Sequence, residues 1–225
     1  MGGLAQAFAD NVPVLYLPGG PAINQHSVRP SFSPARTYES VCVYSEVLWK
    51  ADMTASVLRR AFHRLRNGRP GPVLVEIPAD VGTQEVPEAS MNYLPPKRML
   101  QAPSASDVKD AVRLLLNAKK PVIWSGMGTL MAEASAELRE FAELTEVPVY
   151  CTMPGKSGFD ERHPLALGSG SSSTSRQAYQ WLQESDLLLA LGSSLTRTGY
   201  GQPIPGGKIM IHNTESLEEI GKDYN

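Results

Sequence analysis

Short apolar runs that alternate with amphipathic helical stretches constrain the fold of this chain most strongly. Apolar residues that recur every three or four positions predict helices. Runs that are apolar throughout predict strands buried on both faces, which is typical of parallel sheets. We therefore predict an α/β fold with a parallel three-layer α/β/α sheet. The predicted strands are Val122–Trp124, Val147–Cys151, Leu187–Leu191 and Lys208–His212, and the predicted helices are Asp107–Ala118, Ala132–Leu144 and Ser175–Glu184.

The N-terminal part of the chain predicts a second α/β domain at residues 1–82. Its pattern gives a helix at Gly3–Asp10, a strand at Val12–Leu17 and a helix at Thr54–Asn67. Pro18–Pro34 is rich in Pro, Gly, Ser and Asn and predicts a long loop, and loops of this length are often functional. Residues 83–103 contain several prolines and predict an inter-domain linker, so the larger domain is expected at 104–225.

Composition and charge exclude several classes of function. The net charge of −2 and the interspersed charges give no basic surface for nucleic acid or anionic membrane. No apolar run approaches the roughly 18 residues of a membrane span, and the start lacks the features of a signal peptide. Two distant cysteines and four dispersed histidines form neither a disulfide framework nor a metal-ligand pattern. We predict a cytoplasmic protein without nucleic-acid or membrane partners.

The residues that follow the predicted strands of the larger domain are candidates for ligand binding. In open parallel sheets, ligands bind beyond the carboxyl ends of the strands. Glycines at such points let the backbone approach a ligand, and free N–H groups at helix N-termini suit phosphates. A nucleotide site is therefore one prediction. Its candidate residues are Gly126, Met127, Gly128, Thr152, Met153, Gly168, Ser169, Gly170, Ser171, Gly192, Ser193, Ser194, His212 and Asn213.

Each of these loops also has a purely structural interpretation. Gly and Ser at strand ends are common turn residues, and Met131 stands where a dinucleotide-binding motif has its third glycine. Cys151 ends a strand and could be an active thiol, although a small buried residue is the simpler interpretation. Asp160, Glu161 and His163 could form a metal cluster, but a hydrophilic loop is the simpler explanation. No residue of this chain is predicted to be catalytic.

The stretch Gly68–Val81 joins a helix to a strand. Gly68 suits the left-handed position after a helix, Pro70-Gly71 is a turn dipeptide, and Val73–Ile77 predicts a buried strand. As a whole, GRPGPVLVEIPADV resembles the end of the pyrimidine-binding domain in thiamine diphosphate (ThDP) enzymes of the acetolactate synthase type. The segments 117–128, 143–168, 185–195 and 208–224 resemble, in order and spacing, the central domain of the same family.

This resemblance implies a partial pyrimidine-binding domain followed by a Rossmann-like central domain, which is six-stranded in the family. It implies an enzyme that uses ThDP and Mg²⁺ on 2-keto acids, as a homodimer or homotetramer. In some members the central domain also binds FAD or ADP through loops that match the candidate residues above. The activating glutamate and the diphosphate-binding motif of the family have no match in this sequence, so we expect the chain by itself to be inactive.

Two hypotheses from other functional classes remain open. The glycine-containing strand ends are compatible with a non-catalytic module that binds FAD or ADP. A structural or dimerising module is the third possibility, because unpaired strand edges in a partial domain favour association.

Overall fold

The computed structural model describes residues 2–224; Met1 and Asn225, the outermost residues of the two predicted domains, lie outside the described residues. The chain divides into two compact units, with the boundary between Leu100 and Gln101. The domain boundaries at 82 and 104 stay a prediction. None of the helices in residues 2–224 combines the length and apolar character that a membrane span requires.

The first unit is built around one central strand. It contains helices α1 (Gly2–Ala9), α2 (Pro34–Thr37) and α3 (Thr54–Arg66), and strands β1 (Val14–Tyr16), β2 (Gly19–Gly20), β3 (Tyr44–Val47) and β4 (Pro72–Pro78). β4 pairs in parallel with β1 and β2 on one side and with β3 on the other. Pro72 opens the strand, where the lack of an N–H matters least. The segment Gly68–Val81 therefore provides the middle of this sheet.

Both faces of β4 are buried, as the apolar run Val73–Val75 predicts. Val73 and Val75 pack with Val57 and Ala61 of α3, while Leu74 packs on the opposite face with Leu4 and Ala35. The linker segment contains one short 3₁₀ helix, Glu88–Met91, and no other helix or strand. Met99, near the end of this segment, is held by the residue that follows α3, because its amide donates a hydrogen bond to the Asn67 side chain at 2.7 Å.

The second unit is a doubly wound parallel sheet. In chain order it contains α4 (Ala105–Asn117), β5 (Pro121–Ser125), α5 (Met127–Met131), α6 (Ser135–Thr145), β6 (Val149–Thr152), β7 (Ala166–Gly170), α7 (Arg176–Glu184), β8 (Leu187–Leu191) and β9 (Ile209–Asn213). The strand order is β7-β6-β5-β8-β9, and every pairing is parallel. Numbered within this unit, the order is 3-2-1-4-5, which is that of dinucleotide-binding folds. The predicted α/β class is confirmed, with five strands in the described residues where the family resemblance implies six.

Successive residues of β5 face opposite layers, which explains its uninterrupted apolar sequence. Ile123 packs with Leu138 and Ala142 of α6 on one face, and Trp124 packs with Leu182 of α7 on the other. The predicted cap of α4 is present, since Ser104 Oγ accepts a hydrogen bond from the Asp107 amide at 3.1 Å. Most of the apolar face predicted for this helix is nevertheless exposed. Leu115 is buried, but Val108 and Leu116 are 45% and 78% exposed.

Four elements of the structure differ from the sequence-based expectation, and the first is β2 (Gly19–Gly20), which lies within the predicted loop Pro18–Pro34 and forms because it pairs with β4. β7 lies where a loop is expected, because its residues are small and have low strand propensity. It forms because its backbone pairs with β6. Residues 125–131 are likewise expected to be a loop but include the short helix α5. β3 has no clear sequence signal, and it exists through its pairing with β4.

We expect Leu182→Ala to destabilise the second unit strongly. Leu182 is fully buried between α7 and the sheet, and truncating such a leucine costs about 2–5 kcal/mol. Leu144→Ala is the matched control, because Leu144 lies on α6 with 81% of its surface exposed. This control should change the free energy of unfolding by less than about 0.5 kcal/mol. Urea unfolding followed by tryptophan fluorescence measures the free energy of unfolding of both variants. Equal losses of stability would contradict the assignment of this core.

Candidate functional site at the carboxyl edge of the second sheet

The predicted binding residues of the second unit all lie at one edge of its sheet. Because the five strands are parallel, their carboxyl ends point the same way. Gly126 follows β5, Met153 follows β6, and Gly192 follows β8, while Gly168–Gly170 and His212-Asn213 are the last residues of β7 and β9. The fold thus brings together all fourteen residues, although their role in binding stays a prediction.

The switch point of the sheet lies between β5 and β8, since the chain winds outward in opposite directions from these two strands. Ligands of doubly wound sheets bind at such a point. The loops that begin at Gly126 and Gly192 flank it. They are joined directly, because the amide of Gly128 donates a hydrogen bond to the carbonyl of Gly192 at 2.7 Å. These two glycine-containing candidate loops therefore form one unit.

Glycine is required here by contact between the two loops. A Cβ on Gly128 would lie 2.6 Å from the Gly192 Cα, and one on Gly192 would lie 2.5 Å from the Thr129 amide nitrogen. Gly192 also has a φ of +59°, which L side chains rarely adopt. Close packing of backbone on backbone accounts for these glycines without a ligand, so the glycine pattern by itself does not distinguish a binding site.

Two residues that are absent from the predicted set complete this arrangement. Gly155, in the loop after β6, lies against the backbone of Ser125 and Gly126, where a Cβ would approach to 2.8 Å. Ser125 is fully buried and donates a hydrogen bond to Thr129 Oγ1 at 3.0 Å. A polar serine at the end of an apolar strand is the signal that the sequence offers for it.

His212 fixes the loop after β8 from the neighbouring strand. Its Nε2 donates to the carbonyl of Ser193 at 2.7 Å, and the Asn213 carbonyl accepts from the Gly192 amide at 3.0 Å. Of the predicted binding residues, His212 thus serves to position the neighbouring loop.

A charged group lies at the β7 end of the edge. Ser169 Oγ donates to Glu161 Oε1 at 2.6 Å, and Lys156 Nζ contacts Glu161 at 2.6 Å and Ser169 at 3.2 Å. Hydrogen bonds from Lys156 and then Ser169 lower the pKa of the Glu161 carboxyl below its usual range. Lys156 thus brings a cation to a predicted binding residue of this strand end. Its signal in the sequence is a lysine within a glycine-containing loop.

Three buried polar atoms near the start of α7 lack a hydrogen bond of normal geometry within residues 2–224. They are Trp124 Nε1, Tyr150 Oη and Thr174 Oγ1. The rings of Trp124 and Tyr150 lie 4.9 Å apart on the sheet face that α7 covers. Burial raises the pKa of the Tyr150 hydroxyl, and an interaction with the Thr174 side chain opposes that rise. Buried polar atoms are normally satisfied, so ordered water or a polar ligand group beside Trp124 Nε1 would fit the structure.

The other chemical candidates from the sequence have structural explanations. Cys151 is buried, and this burial raises the pKa of its thiol, which does not favour a reactive thiolate. Asp160 forms an ion pair with Arg162, which lowers the pKa of Asp160 to about 2. His163 contacts Glu143 at 3.1 Å. Across residues 2–224, no three His, Cys, Asp or Glu side chains are grouped to hold a metal ion.

A cavity of about 230 Å³ lies away from the carboxyl edge. Lys208 lines it and immediately precedes β9, which places the cavity toward the amino end of that strand. Arg197 also lines it, with its guanidinium 4.5 Å from the ring centre of Tyr224. None of the fourteen predicted binding residues lines this cavity, so the loops that converge at the carboxyl edge are the stronger candidate site.

Similarity to known proteins identifies the second unit. A family model described as "Thiamine pyrophosphate enzyme, central domain" matches residues 108–225. Among individual relatives, the acetolactate synthase large subunit of Corynebacterium glutamicum is 40% identical over 173 residues. The match covers 73% of this chain and 27% of that protein.

Two further relatives are similar over nearly the whole chain. The glyoxylate carboligase of Escherichia coli O157:H7 is 32% identical over 226 residues, which is 97% of this chain and 38% of that protein. The acetolactate synthase of Mycobacterium bovis is 32% identical over 227 residues, 98% of this chain and 37% of that protein. The chain therefore spans between about a quarter and two fifths of the length of these relatives.

We expect Gly192→Ala to destabilise the second unit and disorder its carboxyl-edge loops. The left-handed backbone alone costs about 1–3 kcal/mol for a non-glycine residue, and the new Cβ would also overlap with Gly128 and Thr129. Gly206→Ala is the control, because the space around Gly206 is open and its φ is ordinary. Thermal unfolding of both variants measures the difference. Indistinguishable melting temperatures would contradict the loop packing described above.

Proposed function

This chain belongs to the thiamine pyrophosphate enzyme family, and on that basis we propose that it forms part of an acetolactate-synthase-like carboligase or decarboxylase. The observation that carries the proposal is the central-domain match over residues 108–225. Relatives named acetolactate synthase and glyoxylate carboligase support it, since they extend the similarity through the first unit. The proposed substrates are small 2-keto acids, and the bond that forms or breaks is the one next to the keto carbon.

ThDP, with Mg²⁺ on its diphosphate, is the proposed cofactor of the complete enzyme. When bound, ThDP supplies the carbanion chemistry, while the protein supplies binding and orientation. The chain matches at most two fifths of the length of the three relatives. We therefore propose that catalysis requires protein regions beyond this matched stretch, and that these 225 residues alone are inactive.

We also propose a FAD or ADP site at the carboxyl edge of the second sheet. Three observations support it: the 3-2-1-4-5 strand order, the joined loops at the switch point, and the unsatisfied buried polar atoms near α7. Ser169–Ser171 and the N-terminus of α7 would suit a phosphate group, with Lys156 as the nearby cation. Such a site is compatible with the enzyme proposal and with a non-catalytic nucleotide-binding module.

A homodimer or homotetramer in the cytoplasm is the proposed state of the protein. Support for association comes from the exposed apolar stripe on α4, formed by Val108, Val112 and Leu116. Both cysteines, Cys42 and Cys151, are free thiols, which is compatible with a reducing compartment.

A nucleotide binding assay tests the proposed FAD or ADP site at the carboxyl edge of the second sheet. We expect FAD or ADP to raise the melting temperature of the chain, because a ligand at about 100 times its Kd stabilises the folded state by about 2.7 kcal/mol. Lys156→Gln should reduce the shift, while Lys109→Gln on α4 should not. If neither nucleotide raises the melting temperature of the folded chain, the nucleotide site is wrong.

The enzyme proposal has a separate test. A protein that contains this chain within its complete gene product should consume pyruvate or glyoxylate with ThDP and Mg²⁺, as measured by release of CO₂. The 225-residue chain alone is the control and should release none. Turnover by the chain alone would contradict the proposed need for further regions. Inactivity of the complete protein on a panel of 2-keto acids would contradict the proposed reaction.

A further inference from the structure

A fully buried carboxylate lies in the central strand of the first unit. Glu76 interrupts the apolar sequence of β4 and has no exposed surface. Burying a charge is costly unless it is paired and hydrogen-bonded. The sequence GPVLVEIP contains this acid where a strand buried on both faces favours an apolar residue. Glu76 therefore requires a specific set of partners.

The partners of Glu76 come from the loop that follows β2 and from the start of α2. Oε2 accepts hydrogen bonds from Ser33 Oγ at 2.5 Å and from the Ala35 amide at 2.9 Å. Oε1 lies 3.2 Å from Nε2 of His26. Gly20 leaves space for the carboxylate, since a Cβ there would lie 2.7 Å from the Glu76 Cδ. The loop Pro18–Pro34 is thus folded around this one charge.

The Glu76 cluster lies toward the carboxyl edge of the first sheet. His26 follows β2, Trp49 comes two residues after β3, and Glu76 is two residues from the end of β4. The rings of His26 and Trp49 meet edge to face with their centres 4.8 Å apart. Three parallel strands therefore bring an acid, an imidazole and an indole to the kind of edge where ligands of open α/β sheets bind.

The carboxylate fixes the orientation of the imidazole. With Nε2–H donated to Glu76, Nδ1 is the ring nitrogen left to exchange a proton or accept a hydrogen bond. No hydrogen-bond partner for Nδ1 is present in residues 2–224, and 11% of the side chain is exposed. A carboxylate that orients a histidine and neutralises its imidazolium is the arrangement that acid–base sites use.

We propose that His26 and Glu76 form an acid–base site at the carboxyl edge of the first sheet that binds a small oxoacid. His26 Nδ1 takes up a proton from solvent water as the imidazolium forms and donates that N–H to a carboxylate or keto oxygen of the ligand, and the proton returns to solvent when the ligand leaves. Glu76 accepts the hydrogen bond from Nε2–H, so proton exchange takes place at Nδ1. The ligand class rests on the proposed function, whereas the pairing and its orientation stand on the contacts above.

Nitrogen NMR of the histidine side chains tests this proposal on the 225-residue chain. The neutral His26 ring should show the tautomer with the proton on Nε2. Pyruvate should shift the His26 Nδ1 resonance saturably, while sodium chloride at equal ionic strength should not. His63 and His163 provide internal references. An unshifted His26 in the folded chain, or a proton on Nδ1 in the neutral ring, would overturn the proposal.

Variants separate an acid–base pair from a simple anchor of the loop. Glu76→Gln keeps the shape but loses the charge, and should weaken pyruvate binding by about tenfold or more, a difference of about 1.4 kcal/mol. Glu46→Gln is the matched control, because Glu46 lies on the neighbouring strand and pairs with Arg60 at 2.5 Å. It should bind pyruvate like the parent chain.

A third variant keeps the test valid if Glu76→Gln fails to fold. His26→Gln leaves the Ser33 and Ala35 bonds to Glu76 in place, so its melting temperature should stay close to that of the parent. The pyruvate-dependent shift of the Trp49 indole resonance should disappear. A folded His26→Gln chain that still binds pyruvate at Trp49 would overturn the acid–base role. None of these binding and NMR measurements depends on catalytic turnover. Failure of the His26–Glu76 proposal is therefore distinguishable from failure of the proposed carboligase activity.

Discussion

The parallel pairing of β5 with β8 is the interaction on which the second unit depends. It runs over five residue pairs, from Pro121 with Leu187 to Ser125 with Leu191. It places the loops after these strands side by side, so that Gly128 donates to Gly192 and Gly192 donates to Asn213. Burial of both sheet faces supplies the driving force, and the hydrogen-bond register decides which loops meet. The candidate nucleotide edge is a consequence of that register.

The first unit uses a different device to shape its carboxyl edge. The loop after β2 has no sheet pairing to define its path as far as β3. Here the buried Glu76 carboxylate defines it, through Ser33, Ala35 and His26. A buried charge restricts the conformations that the loop can adopt, because a conformation that leaves the charge without hydrogen-bond partners has a high free energy. Backbone packing orders the edge of the second sheet, and a single buried charge orders the edge of the first.

Much of the fold could be predicted from local patterns. The helices Thr54–Arg66 and Ala105–Asn117 and the strand Leu187–Leu191 follow from periodicity, capping and apolar runs. β7 could not be predicted, because Ala-Leu-Gly-Ser-Gly has little intrinsic preference for a strand and is ordered by β6. The α4 face was predicted as core, yet Leu116 is 78% exposed. Periodicity identifies an apolar face but not what, if anything, covers it.

By itself, the sequence determined the α/β class, the family resemblance and the set of residues that end the strands. These depend on side-chain polarity and spacing, which are local properties of the chain. Only the tertiary structure decided the strand order, the packing of Gly128 on Gly192, and the pairing of Glu76 with His26. Each of these joins residues that lie far apart along the chain. Their partners are fixed by sheet register and desolvation, and neither is visible in a linear pattern.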